Sequence, residues 1–275
     1  MKARVHLGEC KLCGKKENLT FEHVPPQTAF NSFPVKTYAF DETIQILSGA
    51  GGRKPWDFGG LYGKINQRGS GGYYLCRQCN SNTGSWYISE YVKLSQIIHS
   101  MIIDNKFVPG SIYNFEILSM YPLRVFKAIM TMFCDINNNC FGDQQLRNYL
   151  LEKESTDLDL NKYRVYLTLV TPQMRRIQGY AAMANLFQKE PVGLTEVASY
   201  PLGCILCIDK PDWYIPTGIL INDWATCTYD DRCDLEFVGI PYLEINSQFP
   251  GDYRTKDDII KCMENIKKVM ESKKK

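Results

Sequence analysis

The chain has 275 residues, 44% of them hydrophobic and 23% charged, which suits one large or two modest globular domains and excludes a disordered or fibrous chain. No run of about 18 apolar residues occurs, which excludes a membrane-spanning helix, and the opening MKARVHLGECKLC has no apolar core, so no secretory leader is expected. The net charge is only +2, but residues 1–80 carry 11 Lys/Arg against 6 Asp/Glu (+5) and the remainder 21 against 24 (−3); a basic N-terminal end permits a polyanionic partner, and chance unevenness explains it equally well.

Residues 1–26 read as a cysteine knuckle leading into a short strand, Asn18 to Val24, which Pro25 and Pro26 end. Residues 27–72 are mixed, with a glycine-rich centre, 48-SGAGGRKPWDFGGLYGKINQRGSGG-72, whose composition predicts an irregular loop. Tyr73 to Leu75 predict a second short strand running into Cys76. In 86-WYISEYVKLSQIIHSMII-103 the apolar residues recur on one helix face. A second helix is predicted at 122–136, with Pro122 in its first turn, and a third at 143–154. Beyond residue 160, β-branched and aromatic runs separated by turn residues predict strands at 163–171, 175–183, 202–209, 217–222 and 234–245. The last segment, 256–275, reads as an amphipathic helix with lysines at its C-terminal end. The fold class is therefore α+β, divided as an N-terminal unit over 1–110 with a long insertion at 27–72, and a β-rich α+β unit over 111–275.

Eleven cysteines in a chain without an expected leader point to a reducing, cytoplasmic setting, where paired cysteines hold metal more often than they form disulfides. Cys10/Cys13 and Cys76/Cys79 form two Cys-x-x-Cys pairs. A two-residue spacer lets both sulfurs of a knuckle reach one ion at about 2.3 Å, so two such pairs predict a tetrahedral zinc site closed by four thiolates; the alternative is a set of buried unpaired cysteines. Cys204, Cys207, Cys227 and Cys233 lack knuckle context and read as buried free cysteines rather than a second zinc site. His6 and His99 stand alone in the sequence, and His99 reads as a packing or surface residue of a helix.

Glu22 and His23 sit side by side at the end of the first strand. A carboxylate there supplies a hard oxygen for Mg²⁺ or a similar cation, and a neutral imidazole takes a proton from water near pH 7. The plainer alternative is a surface glutamate beside a packing histidine.

The combination 10-CKLC-13, 22-EHVPP-26, 76-CRQCN-80 and 82-NTG-84, in this order, resembles the HNH (His-Me finger, ββα-metal) endonucleases that carry paired zinc knuckles. The resemblance covers residues 10–84 and leaves the rest of the chain without an assigned motif. It implies an N-terminal zinc-stabilised ββα-metal domain in which a hairpin and a helix clamp one catalytic cation. By position, His23 matches the general base and Glu22 the metal-binding acid before it. Asn80 matches the metal ligand after the second knuckle, and Asn82 is placed to share or replace it. The family's base-orienting asparagine has no counterpart in 70-SGGYYLC-76; Asn66 and Gln67 are the nearest candidates, or a backbone carbonyl orients the base instead. The implied activity is metal-assisted hydrolysis of DNA phosphodiester bonds, with structural Zn²⁺ on the four cysteines and catalytic Mg²⁺ or Mn²⁺ on Glu22 and Asn80. Arg53, Lys54, Lys64 and Arg68, among glycines and aromatics, are candidates for phosphate contact. The family also implies a homodimer or a partner protein of a defence system, with a role in restriction or anti-phage defence; from the lack of a long apolar run, no membrane partner is expected. Two alternatives stay open: a non-catalytic zinc-stabilised module binding nucleic acid or protein, and a nuclease for RNA or branched DNA.

Overall fold

The computed structural model describes residues 5–38, 43, 53–183 and 190–272. The glycine-rich stretch 48–52 and the terminal lysines 273–275 lie outside the described residues. The strand expected before the two prolines is β2 (Lys16–His23). It pairs antiparallel with β1 (Leu7–Glu9) on one side. On its other side lies β5 (Gly71–Cys76), the strand expected to run into Cys76. Between β2 and β5 the chain makes a two-stranded ribbon of β3 (Val35–Thr37) and β4 (Lys64–Asn66). Cys76 opens α1 (Arg77–Thr83), and the chain continues through a π-helical turn (Gly84–Ile88) into α2 (Ser89–Asp104). The apolar stripe seen in the sequence is the buried face Tyr91, Leu94, Ile98 and Ile102 of α2.

The second half follows the expected elements closely where the chain is apolar. After β6 (Ile112–Met120), α3 spans Pro122–Ile136, with proline in its first turn, where the missing N–H is no loss. A 3-10 turn (Asn139–Gly142) leads into α4 (Gln144–Leu151), whose first N–H groups are capped by Asp143. Then come β7 (Tyr163–Val170), β8 (Arg176–Met183), β9 (Val192–Ser199), β10 (Leu202–Ile208), the short β11 (Ile219–Leu220) and β12 (Cys233–Leu243), with α5 (Lys256–Ser272) last. These strands form one mixed sheet in the order β6-β12-β7-β10-β9-β8, with β11 against β7. Every pairing is antiparallel except β12 on β7.

Two strands of this sheet escaped the sequence, as did the short β1, β3 and β4 of the N-terminal part. The side chains of β6 are mostly half-exposed or exposed, which leaves no long apolar run to read. Strand β9 is buried at every position, yet carries Glu196 in its middle. Arg176 neutralises that carboxylate through two hydrogen bonds, 2.6 and 2.9 Å, and the Tyr253 hydroxyl and Gly251 N–H complete its shell. A buried charge survives in a strand only with such partners.

The same burial explains the architecture. Helix α3 is apolar nearly all round and lies inside the protein, against the N-terminal sheet and π-turn on one side and β8 and β9 on the other. Lys127, its one cation with no exposure, donates to the carbonyls of Tyr149, Glu152 and Lys153, which the end of α4 leaves open. One core runs from Cys10 and Leu12 through Tyr87, Tyr91, Phe126 and Phe133 to Tyr163 and Phe237, so it crosses the expected boundary near residue 110. A smaller cluster, with Tyr166, Val192, Ile205 and Cys207, covers the other face of the large sheet.

Candidate metal centre and active site

The first knuckle is a tight turn: Gly14 N–H donates to Cys10 O at 2.9 Å, and Gly14 takes a φ of +74°, which glycine adopts without strain. Lys11 N–H donates to Tyr74 O at 2.9 Å and ties this turn to β5. The second knuckle is where β5 gives way to α1. Cys10, Cys13, Cys76 and Cys79 thereby bring all four sulfurs within 4.8 Å of one another. Cys13 Sγ and Cys76 Sγ are 3.9 Å apart, and sulfurs at about 2.3 Å around a tetrahedral zinc stand about 3.8 Å from each other, so the donor set fits. Hydrogen bonds, first from the Cys79 thiol and then from backbone N–H groups, hold the Cys10 thiol well below the usual thiol range. The Cys76 N–H supplies one of them at 3.3 Å. Among the described residues this is the one such cluster. Cys204 and Cys207 are both buried, but in extended β10 they face the two separate cores.

Next to this centre the hairpin carries a bulge. Thr20 pairs with Leu75 but Phe21 pairs with Tyr73, so one extra residue in β5 shifts the register just before the strand ends. Successive side chains then diverge. Phe21 and His23 share the outer face, with ring centroids 5.0 Å apart. Glu22 turns to the other side, where the Thr20 hydroxyl lies 3.3 Å from its Oε1. Asn80, on α1, donates to that same hydroxyl at 2.9 Å. The two proposed cation ligands therefore meet at one oxygen. Burial pushes the Glu22 carboxyl up to about 7, and no Lys or Arg pairs with it among the described residues. A buried carboxyl without a counter-charge offers a hard oxygen that a divalent cation could take; the Asn80 amide faces the shared Thr20 hydroxyl with its nitrogen, which leaves its Oδ1 unused. Asp135 of α3 is buried behind it, its own carboxyl pushed well up by burial and by the charge of Glu22.

His23 Nε2 lies 3.0 Å from the carbonyl oxygen of Arg68. A carbonyl only accepts, so Nε2 carries a proton, and in the neutral ring the lone pair is on Nδ1. This backbone group stands where the sequence offered no asparagine. Asn66 is tied instead to Thr37 across the ribbon, at 3.1 Å, and Gln67 is exposed. Asn82 turns away from the site and accepts from Gln78 at 2.8 Å, because two positions along a helix swing a side chain about 200° round the axis.

Of the four basic candidates, Arg68 alone is joined to the hairpin end by a hydrogen bond. Lys64 lies on the ribbon strand β4. Lys54 sits over the Trp56 ring, which also lies under Lys256, and Gln248 donates to Pro55 O. The segment holding Arg53 and Lys54 is thus fastened to the C-terminal part of the chain. The outer face of the hairpin instead carries rings: His6 is stacked on Tyr73 with centroids 3.4 Å apart, and Tyr73 meets Phe21 edge-on at 5.5 Å. Phe21 and Tyr73 are each 42% exposed.

One residue that builds the site gave no signal in the sequence. Asn31 is fully buried and donates to Pro25 O (2.6 Å) and Ser70 O (2.8 Å) while accepting from Ser70 N–H (2.8 Å). It clamps the turn after β2 to the turn before β5. Gly69 is needed there, at φ +93°, since a Cβ would come within 2.0 Å of Asn31 O. An asparagine in 28-TAFN-31 reads as an ordinary loop residue. His99 donates to or accepts from the Tyr200 hydroxyl at 2.8 Å and packs on Phe30, as a packing histidine. No described helix is long and apolar enough to cross a membrane. Comparison with protein-family models, with curated proteins and with solved structures finds no match, so the geometry of these side chains carries the functional reading alone.

Proposed function

We propose that this chain is a metal-dependent endonuclease of the HNH kind that hydrolyses phosphodiester bonds of DNA. The observation that carries the reading is the meeting of Glu22 and Asn80 at the Thr20 hydroxyl, on the strand that ends in an imidazole whose Nε2 lies against the Arg68 carbonyl, so that Nδ1 is the nitrogen left to act as a base. Cys10, Cys13, Cys76 and Cys79 would hold zinc as four thiolate ligands, in a structural role. Mg²⁺ or Mn²⁺ on Glu22 and the Asn80 Oδ1 would supply charge neutralisation for the phosphate oxygens.

The protein's own groups do the rest. His23 Nδ1 accepts the proton of a water as that water's oxygen bonds to phosphorus. The bond from phosphorus to the 3′-oxygen breaks, and that oxygen takes a proton from solvent. Arg68, held beside His23 through its carbonyl, offers a guanidinium to the phosphate. The exposed rings of Tyr73 and Phe21, with the half-buried His6 stacked on Tyr73, favour a substrate with unpaired bases close to the cut, such as branched DNA, because stacking needs an open base face.

The test is cleavage of supercoiled plasmid and of a branched substrate with Mg²⁺ or Mn²⁺. His23→Ala should cut about 10²–10⁴-fold more slowly while keeping its zinc. Cutting at the wild-type rate by His23→Ala refutes the assignment. A wild-type protein that holds zinc and binds DNA without cutting it is the binding module instead.

A further inference from the structure

The large sheet reaches into this site through one side chain. Arg175 lies in the turn between β7 and β8, half-buried, and its guanidinium donates from Nη1 to Asn31 Oδ1 and from Nη2 to Phe30 O, each at 2.6 Å. No carboxylate pairs with it among the described residues. A guanidinium taken half out of water without a counter-ion is costly, and two neutral acceptors do not neutralise it. Its fork shape does something a point charge does not: it fixes the Asn31 side chain and the Phe30 backbone together. Phe30 is held at a φ of +63°, a conformation an aromatic residue seldom adopts. Its ring packs on His99, with centroids 4.5 Å apart, and His99 is bonded to Tyr200 at the turn between β9 and β10. The corner at residues 30–31 is therefore gripped from the C-terminal part of the chain at two points.

From that corner the connections lead to the imidazole. Asn31 holds Ser70 by two hydrogen bonds, and Ser70 O also accepts from Val24 N–H at 3.1 Å, next to His23 in the chain. Two residues before Ser70, the carbonyl of Arg68 accepts from His23 Nε2. We propose that Arg175 is a positioning residue: by clasping Asn31 and Phe30 it holds the 68–70 turn where the Arg68 carbonyl selects the His23 tautomer with a free Nδ1. This rests on His23 as the base of the proposed reaction. It also makes the β7–β8 turn the place where the C-terminal sheet sets the activity of the N-terminal site.

The experiment uses the full, zinc-loaded chain with ¹⁵N-labelled histidine, and reads the His23 ring nitrogens by NMR, assigned with His23→Gln. Wild type should show one tautomer, with Nδ1 unprotonated. In Arg175→Gln the ring should become a mixture of tautomers, with the His6 signals unmoved and zinc retained, and kcat on the cleaved substrate should fall about 10–100-fold at unchanged KM. Arg175→Lys keeps the charge but loses the rigid fork that reaches both acceptors at once, and should lie between the two; it also carries the test if Arg175→Gln loses zinc. A His23 tautomer unchanged in Arg175→Gln overturns the clasp, as does full restoration by Arg175→Lys, which would make it a matter of charge. If no form of the protein cuts DNA, the nuclease reading fails while the tautomer measurement still decides the clasp.

Discussion

Replacing Asn31 by alanine tests the architecture of the site more directly than any change to its reactive groups. Asn31 has no exposed surface. Its side chain makes three neutral hydrogen bonds, to Pro25 O, Ser70 O and Ser70 N, and one with the charged Arg175. At about 1 kcal/mol for each neutral bond and about 2 kcal/mol for the charged one, the sum is about 5 kcal/mol. Ser70 O keeps its bond from Val24 N–H, and water entering the gap recovers part of the rest, so a loss of about 3–5 kcal/mol is expected. Urea unfolding of the zinc-loaded protein, followed by the fluorescence of its four tryptophans, gives the number directly. Asn31→Asp separates shape from bonding. It keeps the acceptor for Ser70 N–H and Arg175 but turns an anionic oxygen toward two carbonyls, and should be destabilised at neutral pH and partly restored in acid, where a proton returns one donor. A loss below about 1 kcal/mol for Asn31→Ala would refute the reasoning, because it would mean that the two turns hold their positions without this side chain.

Three further outcomes follow from other parts of the molecule. The protein should contain one zinc per chain, and a strong chelator or Cys76→Ser should remove it and cost at least about 3 kcal/mol of stability, the effect expected of a ligand present at about a hundred times its dissociation constant; metal analysis with thermal unfolding checks this, and an unchanged melting temperature contradicts it. Asp143 caps α4 through Gln145 and Leu146 N–H and pairs with Lys162 at 2.5 Å. Partial burial would raise its carboxyl, but the hydrogen bond from Lys162 and the cap outweigh it and hold it at about 2, against 3.8 in an unfolded chain. The stabilisation is therefore complete above about pH 4 and fades as the pH falls through about 2, so Asp143→Ala should cost about 1–2 kcal/mol at pH 7 and almost nothing at the acid end. Finally, Phe21→Ala and Tyr73→Ala should each weaken binding of a single-stranded oligonucleotide about fivefold or more, measured by anisotropy in a His23→Ala background, and weaken binding of a perfect duplex less; equal losses on both probes would argue against stacking.

Much of the molecule could be read from its residues in order. A knuckle is a local object, and its two-residue spacing shows wherever it occurs, so the pairing of Cys10 with Cys13 and of Cys76 with Cys79 needed no coordinates. Helix α3 announced its start at Pro122 and its end at Ile136 through the same local logic. Strands β7 and β10, buried and uninterrupted, were equally plain. Strand β9 was hidden by Glu196, because a charge inside a strand is readable only when the partner that neutralises it, Arg176, is known.

Folding alone settles which remote atoms meet, and the site depends on three such meetings. The group that orients His23 is the carbonyl of Arg68, an atom that every residue possesses and that no letter of the sequence can mark. Glu22 and Asn80 come together at Thr20 because alternation along β2 puts Glu22 on the face of Thr20, and the pairing of Thr20 with Leu75 sets the start of α1 beside it. Arg175 reaches Asn31 across 144 residues because the hairpin and the large sheet both pack on α3 in one shared core. Spacing along a chain records only local geometry, whereas these contacts arise from burying apolar surfaces that lie far apart in it.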